Sequence, residues 1–297
     1  MSRKNKIRDS VADRVFQVVV VVIVTIITLT CILPIINILA SSLSSANANN
    51  ANAVTFWPIE ITLDAYKSVV TNGALIRSMF FSIYITILTV AITLVMTILC
   101  AYPLSHRDLV GKSILWPFIM FTMYFTAGTI PDYLLMNQLH MLDTIWCLIL
   151  PLCFAPYNLL IMKNNFQGSI PESLIESARL DGASHFTILG KIVVPLSKPI
   201  MATIALFYAV GRWNAYSDAL YYIKQNVALR PLQLKLYYLI VAASESFQTE
   251  GVATVSMTNP EVLKAACIIF AAVPIICVYP FIQKYFVQGT MVGAVKG

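Results

Sequence analysis

Residues 175–199 read IESARLDGASHFTILGKIVVPLSKP, a polar segment in a chain that is otherwise almost continuously apolar. The segment carries the marks of two short helices joined at a corner. Upstream, Ser169 and Glu172 stand three apart with Pro171 between them, the spacing of a capping box with proline in the first turn, where its missing N–H costs nothing. The first helix is predicted to end near Asp181, because Gly182 accepts the left-handed backbone that closes a helix. Ser184 then caps a second helix through Val193, and Pro195 stops it. Leu174, Ile175 and Ala178 fall on one stripe of the first helix, while Ala178 and Gly182 are both small at i, i+4 spacing, so another backbone can come close. A solvated loop has no reason to be capped in this way. A docking surface does, although a helix pair packed only on its own membrane domain would look similar.

The surroundings set the class. Of 297 residues, 58% are hydrophobic and 11% charged, with mean hydropathy +0.77, whereas a soluble domain carries about 25% charged residues. Transmembrane helices need ~20 apolar residues. Stretches free of Asp, Glu, Lys and Arg run over 15–39, 78–104, 113–131, 144–162 and 265–283, and a sixth, 199–223, is interrupted only by Arg212 and Asp218. Six spans are predicted in a single domain, all helical, since the runs lack strand alternation and lipid accepts only helices or closed barrels. The first run, 25 residues long over 15–39, exceeds a signal-peptide core and reads as a retained span.

Basic residues orient the chain. The tail MSRKNKIRDSVADR, Arg107, Lys112, Lys163, Arg179, Lys191, Lys198, Lys284 and Lys296 fall on one side, and the longer opposite loops hold only Lys67, Arg77, Lys224, Arg230, Lys235 and Lys264. Both termini are therefore expected in the cytoplasm. The net charge of +6 reads as membrane orientation, and no nucleic-acid partner is implied. The run SSLSSANANNANA (41–53) reads as a flexible outer loop, and LRPLQLKLYYLIVAA as a helix resting at the outer surface.

Several chemistries are disfavoured. Gly111-Lys112-Ser113 matches the end of a phosphate-binding loop, but His106 stands where the first glycine belongs and no strand precedes it. The six cysteines lie within apolar spans without a C-x-x-C pair and read as small hydrophobes. His106, His140 and His185 form no metal or catalytic pattern. A secondary transporter needs coupling carboxylates in its spans, and only Asp218 comes close.

The fifth span is the candidate pathway, because polar groups in lipid usually face a bundle interior. Read as one helix, it puts Asn214, Asp218, Tyr221 and Tyr222 on a shared face and makes Arg212 and Tyr216 neighbours; Trp213 adds a ring. Rings stack on the C–H face of a sugar, amides and carboxylates pair with its hydroxyls, and Arg212 suits an acidic sugar. The opposing reading is an interfacial aromatic belt with Arg212 paired to a partner subunit. Tyr124, Phe125 and Pro131 stand at the outer end of the third span, where they either line the same vestibule or simply pack.

Glu176-Ser177-Ala178-x2-Asp181-Gly182, nine residues, then Ile192-x-Val194-Pro195, resembles the EAA signature of permease subunits of bacterial ABC importers, with Ser177 and Val194 as mild departures. Longer stretches (125–151, 156–184, 193–223 and 285–297) resemble the oligosaccharide branch, the maltose-permease-like and particularly LplC-like subunits. The resemblance implies a type I importer permease fold, with 163–198 as the cytoplasmic coupling hairpin. Glu176, Ser177, Ala178, Asp181, Gly182 and Pro195 would then act in ATPase coupling, and Arg212, Trp213, Asn214, Tyr216, Asp218 and Tyr221 in the substrate pathway. It implies a second permease, two ATPases carrying ATP and Mg2+, and an extracytoplasmic sugar-binding protein or lipoprotein, with no cofactor on this chain. Its setting is the bacterial cytoplasmic membrane. Glycerol phosphate is the alternative cargo within the same plan.

Overall fold

The computed structural model describes residues 10–106, 108–244 and 260–294, and among them every regular element is helical. The basic tail before Ser10, Arg107, the polar stretch 245–259 and the last three residues lie outside the described residues. The chain divides into two units, 1–71 with 242–270 and 72–241 with 271–297.

In the first unit, α1 (Val11–Ser42) starts at a capping box in which the Ser10 N–H donates to Asp13 Oδ2 at 3.0 Å. Its apolar side chains from Val15 to Ile36 are exposed, as suits a helix facing lipid or another chain. The low-complexity run is folded, contrary to the flexible loop expected. The Ser45 hydroxyl caps α2 (Ala46–Asn50), Asn49 donates to the Ser41 carbonyl, and the Ser44 hydroxyl accepts from the Ile59 N–H at 3.0 Å. Short hydroxyl and amide side chains satisfy local backbone groups, so a composition that resembles a linker here builds a cap. Within the unit, the hydroxyls of Ser42 and of Tyr66, on α3 (Asp64–Thr71), lie 2.7 Å apart.

The second unit is organised by α4 (Gly73–Ser105), which packs on two later helices through a buried face of Ser78, Ser82, Thr89, Thr93, Thr97 and Ala101. Small residues let helix backbones approach in a membrane, and Thr93 and Thr97 return their hydroxyls to the carbonyls four residues back. The predicted third span is not one helix. Gly111, at φ 82°, starts α5 (Lys112–Tyr124), which stops at Tyr124; Gly128, at φ 94°, lets α6 (Thr129–Gln138) leave at 117°. The fourth span is displaced: α7 (Trp146–Ile149) tightens into a 3-10 turn at Leu150–Leu152 and, after a bend of 50°, becomes α8 (Pro156–Ser169). Ser169 is thus the last residue of α8 and no cap. The next helix, α9 (Glu172–Leu180), is preceded by Pro171 with no side-chain cap.

Ser184 caps α10 (His185–Ile188), and the chain continues through a π turn, Leu189–Val193, into α11 (Val194–Leu196). Pro195 does not stop this helix. Proline's ring clashes with the carbonyl four residues back, and the wider turn, in which the Val194 N–H donates to the Leu189 carbonyl, moves that carbonyl away. After a corner of 83°, α12 (Lys198–Asn214) crosses against α4 and α8. The fifth span is broken where one helix was expected: α12 ends at Asn214 and α13 (Ser217–Tyr222) restarts beyond Ala215 and Tyr216. Then α14 (Leu232–Ser244) buries Leu232, Leu234 and Leu236 and does not lie free on the surface. α15 (Pro260–Ala294) runs through Pro274 and Pro280 without a break. Among the described residues three helices are long and apolar enough to cross a membrane, and counting each bent pair as one span gives up to six.

Two clusters fill the second unit. One joins Ala101, Leu159, Phe166, Ile188, Val193 and Ile204, tying α4, α8 and α12 to the hairpin; the other joins Ile85, Leu148, Ile149, Ala219, Ile223 and Leu234. Some polar groups inside find partners and others do not: Thr97 and Tyr208 hydroxyls meet at 2.8 Å and the Leu232 N–H donates to the Ser82 hydroxyl at 2.7 Å, whereas the hydroxyls of Thr86, Thr89 and Ser197 are buried without one.

Candidate functional site

The hairpin corner is built as its sequence requires. Gly182 has φ 78°, the Ala183 N–H donates to the Ala178 carbonyl at 2.9 Å, and the Thr187 N–H donates to the Ser184 hydroxyl at 3.3 Å. A side chain at Gly182 would meet open space, so its cost lies in the backbone and not in filling the corner. Glu176, Ser177, Asp181, Gly182 and Pro195 are exposed. Ile175 and Ala178 turn inward against the core, so the small Ala178 serves the hairpin's own packing. Leu174, expected on the same stripe as Ile175 and Ala178, is instead exposed, and the most exposed apolar groups are two the sequence did not single out: Leu180 is 90% and Phe186 80% exposed, on either side of Gly182. Large apolar side chains bared beside a rigid corner mark an interaction surface. Their spacing around the glycine was the available signal.

The hairpin is braced to the membrane helices. Tyr102, near the end of α4, places its hydroxyl 3.3 Å from His185 Nδ1 and its ring edge-on to His106 with centroids 4.8 Å apart. Gln167 on α8 donates to the Ser105 carbonyl at 2.9 Å. Two adjoining clefts of about 610 and 630 Å3 flank this brace, and His106 and Arg179 line both. Burial holds the His106 imidazole below the ordinary histidine range, and Arg179, His185 and Lys112 press it the same way against Asp108.

The candidate pathway residues separate into two groups. Arg212 is 2% exposed. Its guanidinium donates to the Leu148 carbonyl at 2.8 Å, to the Ala215 carbonyl at 3.1 Å and to both Asp218 oxygens, Nη1 to Oδ2 and Nη2 to Oδ1. Asp218 Oδ1 also accepts the Ala219 N–H at 2.8 Å. Arg212 and Asp218 therefore pair with each other, while Arg212 Nε and the neighbouring Trp213 Nε1 are buried without a hydrogen-bond partner, and the pairing partner is in the same chain, six residues on, beyond the helix break. The shared face drawn from a continuous helix does not exist. Trp213 is buried, while Asn214, Tyr216 and Tyr221 are exposed. Tyr216 stacks on Tyr237 of α14 with centroids 4.9 Å apart and planes at 22°. Tyr124 is 84% exposed and Phe125 stacks on Phe121 at 5.4 Å, both at the end of α5. Among the described residues no group of three His, Cys, Asp or Glu side chains is placed to hold a metal.

Comparison with known proteins follows the same outline. Residues 6–292 match the family described as binding-protein-dependent transport system inner membrane component. Protein LplC of Bacillus subtilis (strain 168) is 44% identical over 242 residues, 81% of each chain. The polygalacturonan/rhamnogalacturonan transport system permease protein YtcP of the same organism is 40% identical, over 81% of this chain and 84% of its own. The crystal structure of a bacterial ABC transporter involved in import of the acidic polysaccharide alginate contains a chain that superposes with TM-score 0.85 at 34% identity, covering 94% of this chain and 99% of that one. The fold is accordingly that of a type I ABC importer permease, and the chain belongs to the binding-protein-dependent transport system inner membrane component family.

Proposed function

We propose that the chain is the transmembrane permease subunit of an ATP-driven importer that moves a carbohydrate, an oligosaccharide derived from a complex polysaccharide, inward across the bacterial cytoplasmic membrane. The observation that carries this is the braced hairpin, which bares Leu180 and Phe186 beside Glu176, Ser177 and Asp181. One of two cytoplasmic ATPases, holding ATP and Mg2+, takes this surface, and the second permease takes the other. The brace through Tyr102, His106 and His185 lets motion of the hairpin move α4 as one body, and nucleotide hydrolysis takes place on the partner. A second permease completes the pathway, and an extracytoplasmic binding protein or lipoprotein delivers cargo. Both termini are cytoplasmic. The cargo in the names of YtcP and of the alginate importer supports the carbohydrate reading.

Along the pathway, Asn214, Tyr216 and Tyr221 meet sugar with amide, hydroxyl and ring, and the Arg212–Asp218 pair with Trp213 holds the break that presents them. Leu180→Glu with Phe186→Glu is the direct test. The purified complex should lose ATPase and keep the second permease. Retention of the ATPases at parent stoichiometry would place docking elsewhere.

A further inference from the structure

In the second unit Lys224, Arg230 and Lys235 lie near one another, Lys235 reaches the Ala74 carbonyl one turn before Arg77 on α4, and among the described residues none of the four cations has a carboxylate in ion-pair contact. Lys224 sets its ammonium 2.9 Å from the Tyr133 hydroxyl and 4.7 Å from that ring's centroid. Arg230 lies 5.8 Å from the Tyr238 centroid and donates to the Lys224 carbonyl at 2.9 Å. Lys235 donates to the Ala74 carbonyl at 2.8 Å. Burial lowers the Lys235 ammonium below the ordinary lysine range, and the like charges of Arg230 and Arg77 press in the same direction. Asp143, which Arg230 also feels, is engaged with the N–H groups of residues 224–226 at 2.8, 2.8 and 3.0 Å. Holding like charges together is costly unless an anion joins them.

We propose that Arg77, Lys224, Arg230 and Lys235 form an entry site that takes the carboxylates of a uronic-acid-containing oligosaccharide. The inference rests on the carbohydrate reading above and names its charge class. The aromatic groups decide between anions. Tyr216 at the exposed helix break stacks on Tyr237, whose ring lies 6.0 Å from Tyr238 under Arg230. A run of rings thus leads from the cations to the break. An acidic sugar offers both a carboxylate and a C–H face to such a run, whereas a lipid phosphate offers only charge.

The test compares Arg230→Gln/Lys235→Gln with the charge-conserving Arg230→Lys/Lys235→Arg in the full complex with its binding protein. Uptake is measured for oligosaccharides released from a polyuronate and for the same pool after carboxyl reduction. The neutralised variant should lower the acidic-to-neutral uptake ratio by about ten-fold or more, and the charge-conserving variant should retain it. An unchanged ratio overturns the proposal. So does equal loss of both pools, the signature of binding-protein docking, or a ratio that follows the anionic-lipid content of the vesicles, the signature of a headgroup site. Uptake of the reduced pool alone by the parent overturns acidic selection but leaves carbohydrate import standing. Uptake of neither pool contradicts the carbohydrate reading itself.

Discussion

Arg212 illustrates what a sequence can and cannot give about one side chain. A cation inside an apolar run needs a partner or a pathway, and that much was legible. Its partner was not, because Asp218 is six positions on and would lie away from Arg212 on an unbroken helix. Only the break at Ala215 and Tyr216 brings the two together, and no glycine or proline announces it. Loss of one member of a buried pair strands the other at about 3–5 kcal/mol. Arg212→Gln should therefore reduce assembled complex for every cargo, measured by yield and thermal unfolding of the solubilised permease. Arg212→Leu/Asp218→Leu should recover part of that loss. Normal assembly of Arg212→Gln with selective loss of acidic cargo would instead put the guanidinium in the pathway. Asn214 is exposed beside the break, and Asn214→Ala should leave assembly intact while slowing uptake by roughly ten-fold, the scale of one lost polar contact.

The hairpin was legible in its corner and not in its flanks, for a physical reason. Gly182 and Ser184 act through local backbone geometry, which residue type dictates. Ser169 and Pro195 depend on how far α8 extends and on a π turn, both set by packing. At Gly182, φ 78° makes any L side chain costly, about 1–2 kcal/mol. Gly182→Leu should thus misplace the hairpin, abolishing uptake and uncoupling ATP hydrolysis from cargo while the permease pair persists. Cargo-stimulated hydrolysis at the parent rate would contradict this. His106 gives the hairpin a pH dependence of defined sign. Its folded-state pKa is depressed below 6.5, so the stability from the neutral ring is complete above 6.5 and declines as pH falls toward the folded value. Amide protection factors across residues 172–193, with the intrinsic exchange rate at each pH divided out, should fall between pH 7.5 and about 5 in the parent, and this acceleration of opening should be blunted in His106→Phe. Equal acceleration in both would remove His106 as its source.

For the molecule as a whole, membrane class and helical architecture followed from apolar run lengths, since the bilayer imposes one thickness on every span. The segments 41–62 and 230–244 did not, because their stability comes from side-chain bonds such as Ser44 to Ile59 and from burial of Leu232 and Leu234 on α14, which run length does not encode. Orientation is tested with cysteine probes in a chain whose six native cysteines have been replaced. A probe at Asn49 should label from outside and one at Ala183 should not, and outside labelling of Ala183 would invert the topology. The central claim, import driven by ATP through the coupling hairpin, is tested most directly by uptake in proteoliposomes holding this chain, its partner permease and the ATPases, with loaded binding protein outside. Accumulation of cargo should require ATP on the hairpin side and persist when ion gradients are collapsed. Accumulation driven by an ion gradient without ATP would contradict it.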